Sequence, residues 1–164
     1  AVSNALNEVL LSSDVIRKKL AGAAPGKHRF EGFKKGIYSE DMTEKTYSAM
    51  AEKAFGQLAS GRNVVLDATF SKTRFVQDAV DAAKGAGADL RILECACADD
   101  IALERISKRL ERANRKKGPV SDMRPRLFRL QKKGFESISL PCIPVDTSRT
   151  TDECVRHALK KLFC

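Results

Sequence analysis

Two short apolar segments, each followed by an aspartate, constrain the fold of this chain more than any other feature of its sequence. Residues 9–11 lead to Asp14, and Arg17 follows three residues later at the start of a predicted helix. The stretch VVLDATF ends a second apolar run with Asp67. Because the carboxyl ends of parallel strands meet at one edge of a sheet, this pattern predicts both carboxylates at an edge suited to phosphate chemistry.

Helical and strand-like patterns alternate along the chain, which predicts an α/β fold with a parallel sheet covered by helices on both faces. With 164 residues, no internal repeat and no interdomain linker, we expect one domain over 1–164. The predicted strands are 9–12, 63–67, 90–95 and 143–146. The predicted helices are 1–8, 15–20, one that Thr43 opens and Gly61 stops, 72–85, 99–112, one capped by Ser121 or Asp122, and 151–162.

The chain is strongly basic, and its net charge of +9 favours an anionic partner. The excess is concentrated in residues 108–117 (KRLERANRKK) and continues as far as Lys133. Three interpretations stay open: a solvated helix face, an arginine-rich lid over nucleotide phosphates, and a track for a nucleic-acid backbone. Charge alone does not separate them.

Location and redox state are also constrained by the sequence. No apolar run reaches the roughly 20 residues of a membrane span, and no secretory signal is visible, so we expect a cytoplasmic protein with no membrane partner. Cys95 and Cys97 alternate within a strand-like run, and the five cysteines are odd in number. We interpret these two as small buried hydrophobic residues of a reduced protein, not as part of a disulfide framework or a metal site.

Four segments in order carry a family resemblance: SSDVIRKKLAG, GIYSEDMTEKTY, GRNVVLDATF and LECACADDIALERISKR. Together they resemble the P-loop kinases of the gluconate-kinase, zeta-toxin and polynucleotide-kinase group. The similarity is strongest to ATP-binding kinase domains fused to an aminoglycoside-phosphotransferase-like domain, which would be a fused or associated partner. The resemblance implies a three-layer, nucleoside-kinase-like P-loop NTPase fold with an arginine-rich lid at about 110–124.

The same resemblance implies a chemistry. Family members use ATP and Mg²⁺ to move the γ-phosphoryl group to a hydroxyl acceptor, here a small molecule or a nucleic-acid end. A nucleic-acid 5′-hydroxyl kinase is the variant that the basic charge favours. The loop basic residues would give the acceptor side a cationic rim: Lys27, Arg29, Lys34 and Lys35.

One family motif, the Walker A loop G-x-x-x-x-G-K-[ST], does not occur in the sequence. Gly26 and Lys27 are followed by His28, so they do not replace it. This loop supplies backbone N–H donors and a lysine to the phosphates and a hydroxyl to Mg²⁺. We expect it, with a preceding strand, directly before Ala1. The alternative is a noncatalytic nucleotide- or nucleic-acid-binding module with a degenerate P-loop fold.

On the acceptor side, the resemblance implies that Asp14 activates the acceptor hydroxyl and that Arg17 binds an anionic part of the acceptor. The alternatives are an N-cap at Asp14 for a helix beginning at Val15, and a surface position for Arg17. Lys18 and Lys19 are expected to be solvated.

Asp67 resembles the Walker-B-like or acceptor-site acid, and it is the candidate Mg²⁺ ligand. A cap for the turn 68–72 is the alternative, but a carboxylate at a buried strand end would need a ligand or partner. Thr69 is its candidate polar neighbour. Arg74 matches a basic position in the helix after DATF, which makes it a candidate for contact with the acceptor, but the sequence favours a surface position.

On the nucleotide side, Arg105 and Arg109 share one helix face, and the resemblance implies that they grip the ATP phosphates. Arg112 is a further candidate in the lid. Pairing of these arginines with nearby glutamates is the alternative. Asp146 and Thr147 resemble the segment that lines the adenine pocket, or they form only the turn before the last helix.

Overall fold

The computed structural model describes residues 1–22, 36–115 and 125–163, without the side chains of 112–115. Four strands and seven α-helices lie in this part of the chain, together with a 3₁₀ turn at Gly36–Tyr38. The strands are β1 (Val9–Ser12), β2 (Val64–Asp67), β3 (Ile92–Ala96) and β4 (Cys142–Asp146). The helices are α1 (Val2–Leu6), α2 (Ser13–Leu20), α3 (Glu40–Ala59), α4 (Thr73–Gly85), α5 (Asp99–Arg115), α6 (Pro125–Lys132) and α7 (Thr151–Leu162).

Some predictions fall outside the described residues. They concern the rim of Lys27, Arg29, Lys34 and Lys35, the cap at Ser121 or Asp122, and the side chain of Arg112. Of the lid predicted over 110–124, residues 110–115 form the end of α5, and 116–124 also lie outside the described part.

The described strands form two parallel pairs. β1 pairs with β2 from Val9 beside Val64 to Ser12 beside Asp67. β3 pairs with β4 and ends with Ala96 beside Asp146. Parallel partners require a crossover, which α3 provides for the first pair by packing on both of its strands, while α7 packs on β4. The predicted α/β class with parallel strands is therefore confirmed.

The core that matters most for the site lies where α2, α3 and α4 meet the first strand pair. Ile16, Tyr47, Met50 and Phe75 are its buried members. The rings of Tyr47 and Phe75 stack with their centroids 3.9 Å apart. Each such side chain contributes about 1.5–3 kcal/mol through burial, so α3 and α4 are fixed beneath the carboxyl end of β2.

The helices α2 and α3 start two and three residues earlier than predicted. α2 begins at Ser13 with Ser12 at its N-cap, so Asp14 lies in the first turn and the predicted N-cap role is wrong. α3 begins at Glu40, three residues before Thr43, because Ser39 Oγ accepts a hydrogen bond from the Met42 N–H at 3.3 Å.

The environment of two side chains also corrects the prediction. Lys18 was expected to be solvated, but it is completely buried, because Ile16, Arg17 and Lys18 are all enclosed where α2 packs between β1 and α3. Cys95 was expected to be buried but is exposed, because within the described residues β3 is hydrogen-bonded only to β4. None of the described helices is both long and apolar enough to cross a bilayer.

Candidate active site

The two predicted carboxylates lie at one edge of the first strand pair. Ser12 lies beside Asp67 in the parallel register, and Asp14 follows in the first turn of α2. Asp14 is half-buried and Asp67 is exposed. The predicted common edge is therefore confirmed, whereas the argument that Asp67 is buried and so needs a partner is wrong.

Arg17 is buried, so its predicted surface alternative is wrong. Only 7% of the residue is exposed, and its Nη1 donates to the Ile37 carbonyl and to Thr43 Oγ1, each at 3.0 Å. The guanidinium also lies 5.2 Å from the centre of the Tyr38 ring. Burial lowers the pKa of Arg17 from its usual value, and the nearby Asp14 carboxylate opposes that shift. Arg17 thus joins α2 to the segment that leads into α3, beside Asp14.

The turn that follows Asp67 is held by a side chain from α3. The backbone of Phe70 has φ of 45°, an unfavourable value for a residue with a Cβ. Its N–H donates to the Tyr47 hydroxyl at 3.0 Å. Burial raises the pKa of Tyr47, so the hydroxyl stays protonated at neutral pH. Periodicity identified Tyr47 as a core residue, but it carried no signal for this contact.

The Glu136 side chain, which lies far from this turn in the sequence, also holds it in place. The Glu136 carboxylate accepts hydrogen bonds from Lys72 Nζ and from the Thr73 N–H, each at 2.9 Å. These two donors lower the pKa of Glu136 to about 2. Sequence reasoning missed Glu136, because an isolated acid after Gly134 and Phe135 belongs to no motif.

The two other candidates near this turn occupy exposed positions. Thr69 Oγ1 lies 3.5 Å from Gln131 Nε2. Arg74 makes an ion pair with Glu44 at 2.7 Å and covers the ring of Phe75. The structure therefore places Arg74 on the surface, where it links α4 to α3.

Of the nucleotide-side candidates, Arg105, Asp146 and Thr147 come together at the end of β4. Arg105 donates from Nη1 to the Thr147 carbonyl at 2.5 Å and from Nη2 to the Ser148 carbonyl at 3.3 Å. Asp146 Oδ1 accepts from the Ser148 N–H at 2.9 Å and from its hydroxyl at 2.6 Å. Arg105 is thus hydrogen-bonded to the segment predicted to line the adenine. The alternative pairing with Glu104 is not observed, because Glu104 forms an ion pair with Lys108.

Arg109, the second arginine predicted for this side, is half-buried one turn further along α5. Arg105, Asp146 and Thr147 therefore form one local structure in which the guanidinium holds the loop between β4 and α7.

The described part of the site offers few protein ligands to Mg²⁺. No group of three or more potential metal ligands occurs within the described ranges. The single exposed carboxylate of Asp67 fits a magnesium ion that keeps most of its waters and is also held by substrate phosphates. It does not form an all-protein cage of the kind that calcium prefers.

Two solved structures share the fold of this chain. The gluconokinase from Sinorhizobium meliloti 1021 superposes with a TM-score of 0.66 at 19% identity, covering 99% of this chain and 81% of that one. A protein assigned as a kinase, from Chloroflexus aurantiacus j-10-fl, also gives 0.66, at 18% identity, with 97% and 86% covered. At these identities the likeness shows the fold, which is that of the P-loop kinases.

A search of curated proteins gave no match. The profile of one protein family, described as AAA domain, matches residues 1–136 and so spans both acid-ended strands, the Tyr47 and Arg105 helices and Glu136. This chain belongs to the AAA domain family and has a P-loop kinase-like fold.

Proposed function

We propose that this chain is the catalytic domain of an ATP- and Mg²⁺-dependent phosphotransferase that acts on a hydroxyl acceptor. The observation that carries the proposal is the meeting of Asp14 and Asp67 at the carboxyl edge of β1 and β2. Kinases catalyse phosphoryl transfer by positioning the two substrates and stabilising the charge on the phosphates, together with a carboxylate that takes up the acceptor proton. ATP with its magnesium ion would supply the phosphoryl group and the neutralising charge.

The roles of the acceptor-side residues follow from their surroundings. Asp14 would accept the proton of the acceptor hydroxyl as that oxygen bonds to the γ-phosphorus and the bond to ADP breaks. Arg17 lies beside it and, through its bonds to Ile37 and Thr43, would keep the edge of the acceptor site in place. Asp67 would hold the magnesium ion through water.

The roles on the nucleotide side rest on the fastened β4–α7 loop. Asp146 and Thr147 would line the base, and Arg105 would keep that loop in place. Arg109 and Arg112 would bind the phosphates. The placement within the gluconate-kinase, zeta-toxin and polynucleotide-kinase group, the aminoglycoside-phosphotransferase-like partner and the cytoplasmic location all belong to this proposal.

The test compares Asp14→Asn with Asp41→Asn in the full-length protein. Asp41 is a matched control because it also lies in the first turn of a helix, but it is exposed and pairs with Lys45 on its own helix. D-gluconate and a 5′-hydroxyl oligonucleotide serve as probes of the two acceptor classes. We expect Asp14→Asn to lower kcat by about 10²–10⁴-fold, with nucleotide affinity and the control unchanged. Undiminished turnover of Asp14→Asn would reject Asp14 as the activating acid.

A second candidate is a noncatalytic module that binds nucleic acid. It is favoured by the exposed cations Arg126, Arg129 and Lys133, which share one face of α6 and the turn after it. Oligonucleotide affinity measured against salt concentration decides this candidate. Backbone binding requires a steep loss of affinity with salt, and a flat dependence excludes it.

A further inference from the structure

The segment 131–136, which leads out of α6, is fastened to the turn between β2 and α4 (residues 68–72, the β2–α4 turn). The Glu136 N–H donates to the Ser71 carbonyl at 3.0 Å, so the two backbones are joined directly. The Glu136 carboxylate adds its bonds to Lys72 and to the first helical N–H, that of Thr73. Backbone and side chain of one residue thus bind three consecutive residues.

This contact replaces the missing cap of α4. Lys72 occupies the N-cap position and has no side-chain hydrogen bond to the helix. A carboxylate placed on the first N–H groups satisfies a donor that the helix leaves open and interacts favourably with the helix dipole. Glu136, which is 64 residues away in sequence from Lys72, therefore provides the cap that α4 lacks.

The β2–α4 turn needs such external support, because Phe70 holds a positive φ. A strained backbone of this kind persists only where the surrounding contacts determine it, and such strain is concentrated at functional sites. Tyr47 fixes the turn from α3, and Glu136 fixes it from the 131–136 segment. Thr69 immediately precedes the strained residue, and Asp67 lies three residues before it at the end of β2, so both contacts act on the segment that carries these two side chains.

We propose that Glu136 is a positioning residue that sets the placement of Asp67 and Thr69 by fastening the β2–α4 turn to the 131–136 segment. The inference rests on the proposed function for its catalytic consequence. In the sequence, the basic stretch that begins at residue 108 runs as far as Lys133, so Glu136 joins the end of that stretch to the acceptor-side edge of the sheet. The placement of Asp67 and Thr69 then depends on where α6 lies.

The experiment uses the full-length protein with Glu136→Ala, which removes the carboxylate, and Glu136→Gln, which keeps an oxygen to accept from Thr73. Asp41→Asn is the control, since it breaks a more exposed ion pair on α3. Hydrogen exchange of residues 69–75 is measured alongside kinetics with whichever of the two acceptor probes the wild type phosphorylates. We expect Glu136→Ala to speed exchange in this stretch by about tenfold, with a smaller change for Glu136→Gln.

The kinetic result separates positioning from a purely structural role. We expect kcat/KM for the acceptor to fall about tenfold or more in Glu136→Ala, with the nucleotide KM unchanged. Faster exchange with unchanged acceptor kinetics, or unchanged exchange, overturns the proposal. If the wild type phosphorylates neither probe, the proposed phosphotransferase function fails, and the exchange measurement alone decides whether Glu136 fixes the turn.

Discussion

The Tyr47 hydroxyl accepts a hydrogen bond from the backbone N–H of Phe70 at 3.0 Å, and the two rings meet edge to face with centroids 5.5 Å apart. Tyr47 lies in the middle of α3, whereas Phe70 lies three residues after the end of β2. The conformation of the residues after Asp67 is therefore set by a neighbouring helix as well as by the strand itself.

Replacing Tyr47 with Phe tests this contact. The ring stack on Phe75 is kept, but the partly buried Phe70 N–H loses its acceptor. An unsatisfied buried donor costs about 1–3 kcal/mol, so we expect a loss near the lower end of that range. Urea unfolding should show that loss in the free energy of unfolding. Ser48→Ala, which removes an exposed hydroxyl from the next position on α3, should stay within about 0.5 kcal/mol of the wild type. Equal midpoints for Tyr47→Phe and Ser48→Ala would contradict the role of the hydroxyl.

Arg17→Lys should destabilise the protein although it keeps the charge. A lysine cannot reproduce the planar group that donates to Ile37 and Thr43 while it lies over Tyr38. Because hydrogen bonds from a charged group are worth about 1.5–3 kcal/mol, we expect a loss of that order in thermal or urea unfolding. The matched control is Arg62→Lys at an exposed position, which should leave the free energy of unfolding unchanged. An equally unchanged free energy of unfolding for Arg17→Lys would show that the guanidinium contacts do not contribute to stability.

Glu136 should make stability depend on pH in the acidic range. Its folded pKa is lowered to about 2 from an ordinary value of 4.5, so the ionised form stabilises the fold. The contribution is fully present above pH 4.5 and is lost as the pH falls towards 2. The difference in melting temperature between wild type and Glu136→Gln should therefore shrink over that interval. A difference that stays constant from pH 7 to pH 2 would show that the carboxylate charge is not involved.

Thr150 should contribute to the stability of the last helix. Its hydroxyl accepts from the Glu153 N–H, and the Glu153 carboxylate accepts in return from the Thr150 N–H at 3.0 Å. The Thr150 hydroxyl also lies 2.6 Å from the same carboxylate, and its hydrogen bond, together with that of the Thr150 N–H, lowers the pKa of Glu153. Thr150→Ala should cost about 1 kcal/mol of unfolding free energy, whereas Thr150→Ser should be close to the wild type. Equal losses for Ala and Ser would show that the methyl group of Thr150, not its hydroxyl, is what matters.

The hydrophobic pattern of the sequence predicted those site residues that lie directly after a strand. The bounds of β1 and α7 agree with the prediction, and Asp14 and Asp67 meet at one sheet edge because an apolar run followed by an acid fixes both. The bonds from Glu136 to Lys72 and Thr73 could not be predicted in this way. They join positions 64 and 63 residues apart, and neither periodicity nor a motif records such a pairing.

Lys18 is buried and its neighbour Lys19 is exposed, so two adjacent amines of α2 differ in their access to solvent. An amine-reactive acylating reagent reaches Lys19 directly, but it reaches Lys18 only when α2 separates from β1 and α3. The ratio of acylation at these two adjacent amines therefore reports how often the acceptor-side helix opens. Because Arg17 lies next to them, that ratio also records when the buried guanidinium leaves its partners.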